Sequence, residues 1–340
     1  MQFKSWLMLD GGVKLSTFSA ETKPIEAIIA DFLDWIERDN RCLVNLLKGL
    51  IVKFGEEHSS VATLQEAVVR IQATQAQLAK LGCPSDARLA EGRPIVNRSA
   101  LRQFLKAAMN HGGPAWASVS IVKVAGARGL GRSHSWYLIK HVANTGVAEA
   151  LKFDLASATL ANQTLDVLFD TLERNLKITD ARKPTSDGVT SDTLAARFAE
   201  ELAGCLARAA GNWNKPYWLV FDSLDRDLRP EVKRFVSLLC RERLEGVFGN
   251  CVIFLLGPDA VTEPDDPGRS VQLELLTPFT NTEISDAATA LNSIGRKALQ
   301  QSDLDLRIGD AQALAQHYSG PDLCREVFSK LVDLRIEVGA

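Results

Sequence analysis

At 340 residues, with 46% hydrophobic and 24% charged positions, the chain has a globular composition and room for two domains. A net charge of −3 supplies no broad basic field for nucleic acid or anionic lipid. No apolar run reaches membrane-spanning length, and the start MQFKSWLMLDGG is too short and polar for a signal peptide, so a cytoplasmic location is expected.

Residues from about 23 to 82 read as helices. Ile25, Ile28, Ile29, Phe32, Leu33 and Ile36 recur at helical spacing, and Leu43, Leu46, Leu47, Leu50, Ile51 and Phe54 repeat the pattern. Leu64, Val68, Ile71, Leu78 and Leu81 make a third, narrower stripe. Single apolar faces of this kind bury against one another, which predicts a small all-α bundle over 1–85. CPSDARLAEGRP, Cys83–Pro94, has the composition of a linker.

Beyond it, strands and helices alternate. Ser118–Val124 reads as a buried strand leading to a helix from Ser133, and EALKFDLA, Glu149–Ala156, as the next strand. A helix follows with Leu165, Leu168, Phe169, Leu172 and Leu176. The polar stretch Thr179–Asp192 is the expected site of disorder or nicking. A helix through Leu194, Phe198, Leu202 and Leu206 precedes the strand YWLVFD; a helix opened by Pro230 precedes the strands CVIFLL and VQLELL. The expected fold is α/β over 86–277, a parallel sheet with helices on both faces, with a C-terminal helical lid over 278–340 broken at Gly320–Pro321.

The functional signal is SIVKVAGARGLGRSHSWYLIKHVA, ending at Ala143, in which a β-branched strand enters a glycine-rich turn and leaves as a helix. A phosphate-binding loop, G-x-x-x-x-G-K-[ST], needs two glycines so that backbone amides wrap a phosphate. It also needs a lysine for the β and γ oxygens and a hydroxyl for Mg²⁺. Gly126, Gly131 and Ser133 fit, Gly129 adds a permissive position, and Arg132 replaces the lysine. The acid that completes such a site is Asp222, at the end of YWLVFD. Ser223 follows it where a second carboxylate would polarise water, and Asp225 lies on a different side of the turn. CVIFLLGPD ends without an evident polar residue to sense a γ-phosphate. Together these departures argue against turnover, while the loop amides could still hold an anion.

These residues carry a family resemblance. RPIVNRSALRQFLKAA (Arg93–Ala108), GRSHSWYLIKHVA, LKFDLA and VQLELLTPFTNTEI resemble the lead-in, helix start and strands of bacterial inactive STAND-type P-loop domains, from Arg93 to the C-terminus. Arg132 departs from members that keep a lysine. FLDWIERDNRCLVNLLKGLI, Phe32–Ile51, resembles the later helices of effector-associated adaptor domains. The pairing implies a helical module that docks a protein partner, often a protease effector, in bacterial anti-invader signalling.

Three functional readings stay open. The first is a non-catalytic adaptor or scaffold with no cofactor. The second is a nucleotide-driven switch binding ATP or ADP with Mg²⁺, in which Arg132 clamps phosphates and Asp222 and Asp225 serve the metal. The third is a regulatory subunit cut in the KPTSDG loop. Neither nucleic acid nor membrane is an expected partner. The six cysteines are scattered without metal-ligand spacing, and no metal site is expected. The histidines pair with no nucleophile motif; His134 and His141 read as surface or packing residues, and Arg93, Arg98 and Arg102 as a modest cluster lining the α/β domain.

Overall fold

The computed structural model describes residues 83–340 apart from 110–118, 157–163, 179–180, 186–187, 211–212, 214 and 260–269. Before residue 83 it describes only positions 48, 51, 62, 65, 66, 68 and 69, all helical. The three-helix reading over 23–82 otherwise lies outside the described residues. The chain divides into two compact units, Met1–Gly82 and Cys83–Ala340, and the second contains everything that follows.

That unit opens with a short hairpin, β1 (Leu89–Ala90) antiparallel to β2 (Arg93–Pro94), and then helix α1 (Ser99–Met109). Strand β3 (Ile121–Ala125) leads through the glycine loop to α2 (Ser135–Val142) and β4 (Glu149–Asp154). Helices α3 (Leu165–Leu176) and α4 (Ser191–Ala210), strand β5 (Tyr217–Asp222), helix α5 (Pro230–Leu244) and strands β6 (Cys251–Leu256) and β7 (Val271–Leu275) complete the core. Three helices end the chain: α6 (Asn281–Ile294), α7 (Gln301–Ala313) and α8 (Gly320–Val338). Thr280 and Glu283 form a reciprocal capping box at the start of α6, and Pro321 opens α8 where its missing N–H is harmless.

Five strands form one parallel sheet in the order β4-β5-β6-β3-β7. Strand alternation sends Phe153, Leu219, Phe221, Ile253 and Leu255 to one face, against Phe169, Phe198 and Phe235 of α3, α4 and α5. Trp218, Val220, Val122, Val124 and Phe254 go to the other face, against α1 and α2. A separate core of Ile284, Leu291, Val327, Leu331 and Leu334 holds the last three helices together. The expected α/β sheet covered on both faces is the one observed.

Residues 83–94, linker-like in composition, are folded. Polar composition misleads here because a buried cation organises the segment. The Arg102 guanidinium donates to the carbonyls of Ser85 (2.7 Å), Ala87 (2.9 Å), Ile95 (3.2 Å) and Asn97 (2.9 Å). Burial lowers the Arg102 pKa to about 10, which leaves it charged at neutral pH. In the polar loop after α3, Lys183 reaches back to Asp170 at 2.8 Å. Cys205, Cys240, Cys251 and Cys324 are buried, and Cys83 is half-buried.

The edge strand β7 carries one buried acid. Glu274, 4% exposed, accepts the Leu101 N–H at 2.6 Å in the first turn of α1. A carboxylate from another element thus completes the helix N-terminus. Glu274→Ala leaves that donor unpaired and should lower unfolding stability by about 1–3 kcal/mol in urea titration.

Candidate phosphate-loop site

The site sits at the carboxyl ends of the parallel strands, where loops are free to converge. Strand β6 lies between β3, which carries the glycine loop, and β5, which carries Asp222. Gly126, Gly129 and Gly131 all adopt positive φ (137°, 93° and 82°), which other residues enter only with strain. The Leu130 N–H turns back onto the Ala127 carbonyl at 3.2 Å. Among the described residues no backbone carbonyl takes the amides of Arg128, Gly129 or Gly131. The sequence-predicted loop is present.

Two outside elements hold it. Arg98, itself at φ 78°, donates to the Gly131 carbonyl at 2.6 Å and to Ser135 Oγ at 2.8 Å. It is 3% exposed, and burial lowers its pKa to about 10 while Glu274 opposes the shift, so it remains a cation. On the other side α8 abuts the loop: a Cβ on Gly129 would lie 2.6 Å from Pro321 Cβ.

Asp222 is the hub. Its Oδ1 accepts from Ser133 Oγ at 2.8 Å and from the Ser223 N–H at 2.7 Å. Its Oδ2 faces Lys152 Nζ at 2.8 Å, an ion pair whose angle falls outside hydrogen-bond geometry. The Asp222 side chain is 2% exposed and that of Lys152 23%. Lys152 comes from β4, where Asp154 is in register with Asp222 and accepts from Ser223 Oγ at 2.9 Å. The residue after the acid is thus a hydroxyl tied down by hydrogen bonding.

Arg132 extends away from the loop and donates to Asp225 Oδ2 at 2.5 Å, with only 11% of its side chain exposed. Gly257, at the end of β6 with φ 77°, makes this possible. A Cβ there would lie 3.1 Å from Arg132 Cζ and 3.0 Å from Asp225 Oδ1. The strand end bears no polar side chain because the guanidinium fills that space. Beyond it, Asp259 is held by Lys233 at 2.5 Å.

Magnesium, which a loop of this kind implies, does not fit these residues. Both Asp222 oxygens face donors or a cation, and Asp225 is paired with Arg132. A hard divalent ion requires open oxygen ligands. Among the described residues no group of three or more His, Cys, Asp or Glu side chains is placed to hold a metal.

Of the six sequence-predicted site residues, Gly129, Gly131, Ser133 and Asp222 line one cavity, and Gly126 starts the same loop against Leu276. Arg132 is beside them but directed to Asp225. Spacing marks neither Lys152 nor Asp154, and Arg98 reads in sequence only as part of the arginine cluster lining the α/β domain. The signal for Lys152 is a lysine in the middle of the otherwise apolar LKF strand, which asks for a partner acid.

The sheet is parallel, the loop leaves β3, the first of its strands in chain order, and the acid lies two strands away. This is a P-loop NTPase-like fold. No protein-family model and no curated protein sequence matches the chain. Among solved structures it is similar to the Aeropyrum pernix ORC2 protein in its ADPNP–ADP complexes, at 12% identity over 73% of this chain and 71% of that one, TM-score 0.38. The ADP form of that protein gives 11% over 72% and 71%, TM-score 0.34. C. elegans PCH-2 gives 11% over 70% and 67%, TM-score 0.30. Overlaps that loose carry no weight, and the fold rests on strand order and loop.

His134 packs edge-on to Phe328 of α8 (4.7 Å) and Tyr137 (5.6 Å), as a packing residue, with Nε2 unpartnered. Burial, then repulsion from Arg98, Arg93 and Lys152, lowers its pKa to about 4. A depressed folded-state pKa means the neutral-histidine contribution is complete above about pH 6.5 and is lost as pH falls toward 4. Urea unfolding between pH 7 and 4.5 should show a stability loss about 1–2 kcal/mol smaller in His134→Phe than in the wild type. Gly257→Ala should cost about 1–3 kcal/mol, and measurably less in an Arg132→Lys background, as read by a double-mutant cycle.

Proposed function

We propose that this chain is a non-catalytic signalling adaptor or scaffold whose second unit is a P-loop domain that does not split ATP. The observation that carries the reading is the state of the two acids at the end of β5. Lys152 neutralises Asp222 and Arg132 neutralises Asp225, at 2.8 and 2.5 Å. With Ser223 in the position of a water-polarising carboxylate and Gly257 at the sensing strand end, neither carboxylate lining the loop cavity is left unpaired to activate water. The resemblance to inactive STAND-type domains agrees with this. In that reading the N-terminal helical region docks a protein partner such as a protease effector, in cytoplasmic bacterial anti-invader signalling.

A second reading, a nucleotide-binding switch, is favoured by one observation. A cavity of about 250 Å³ opens beside the loop, lined by Ile95, Val96, Leu130, Phe279, Pro321 and Phe328. Apolar walls next to a phosphate loop suit a nucleobase, and α8 would sense its presence through Pro321.

The purified full chain incubated with Mg·ATP should release phosphate no faster than a protein-free blank, and Asp222→Asn should change nothing. Turnover that disappears in Asp222→Asn would end the adaptor reading.

A further inference from the structure

We propose that the phosphate loop holds a polyphosphate anion without a divalent metal, Lys152 bringing to Asp222 the positive charge that Mg²⁺ would otherwise supply. This deepens the non-hydrolysing reading, because it assigns the loop a ligand class and removes the ion that phosphoryl transfer needs.

The argument starts from charge. A metal-dependent loop presents an acid with open lone pairs and leaves its cation free for phosphate. Here Asp222 is 1% exposed, and the ammonium of Lys152 stands 2.8 Å from Oδ2. Displacing that ammonium would strand a half-buried cation whose remaining acid, Asp154, lies at 3.9 Å. The Asp222 side of this pair is buried, so a divalent ion must displace a tethered cation already in place to reach the carboxylate. Arg132 cannot be the free cation either, since Asp225 and the space at Gly257 hold it.

What remains over the loop is positive. A cavity of about 290 Å³ is lined by Gly129, Gly131, Ser133, Asp222, Arg128 and Arg226, with Arg132 and Asp225 at its wall. Arg128 and Arg226 are exposed and have no ionic partner among the described residues. Both internal acids are already neutralised, so these two guanidiniums and the unengaged loop amides give the cavity a net positive character. Planar forks of this kind take phosphate oxygens in pairs. The cavity therefore suits a diphosphate or triphosphate group, and the anion needs no metal to offset its charge.

The test uses the full chain with two probes, Mn²⁺ followed by electron paramagnetic resonance and ADP followed by calorimetry. Wild type and Asp222→Asn should take up Mn²⁺ alike, and ADP should bind in EDTA within about twofold of its affinity in Mg²⁺. Lys152→Met should expose Asp222: a Mn²⁺ site appears, is abolished by adding Asp222→Asn, and ADP binding strengthens about tenfold or more with Mg²⁺. Mn²⁺ bound by wild type and lost in Asp222→Asn overturns the proposal. So does ADP binding that requires Mg²⁺, or no ADP heat in either buffer. If Lys152→Met does not fold, the wild-type and Asp222→Asn titrations decide alone. None of these outcomes depends on turnover, so a metal site found here would sink this proposal while leaving the adaptor reading to the phosphate-release assay.

Discussion

The contact on which the site depends is the carboxylate of Asp222. One oxygen gathers the Ser133 hydroxyl and the Ser223 amide, and the other faces the Lys152 ammonium. The glycine loop, β5 and β4 are thereby fixed to a single buried charge. An ionised acid at 1% exposure is tolerated only when donors and a cation surround it, and here they do. The same arrangement places a tethered ammonium at the oxygen that a metal would have to reach.

A second constraint follows from shape. A guanidinium is larger than an ammonium, so Arg132 requires space that a loop shaped for lysine does not have. The chain supplies it at Gly257, whose missing Cβ admits the fork to Asp225. Arg132, Asp225 and Gly257 therefore work as one unit: each makes sense only with the other two. What looks in sequence like separate losses is one coordinated rearrangement at the ends of β5 and β6.

The loop is also clamped from outside the sheet. Arg98 donates to the Gly131 carbonyl, and Pro321 of α8 packs against Gly129. Arg98 and Arg102 stay charged while buried because carbonyls and hydroxyls receive their N–H groups, with Glu274 nearby. Loop geometry is thus coupled to the position of the last helix and to the folded lead-in around β2. A shift in α8 would be felt at the loop through a contact with no slack.

The sequence by itself determined the strands and the loop. YWLVFD and CVIFLL are apolar, β-branched or aromatic runs bounded by breakers, and three closely spaced glycines admit the positive φ values that the turn uses. These are local properties, set by side-chain sterics within a few residues. The partners of the charges were decided only in three dimensions. Lys152 and Asp222 are 70 positions apart on adjacent strands, and Arg132 meets Asp225 across β6. The folded state of 83–94 likewise hangs on Arg102, whose acceptors are backbone carbonyls that no side-chain pattern displays. Ion pairing depends on distance and burial, and both are products of strand order rather than of spacing along the chain.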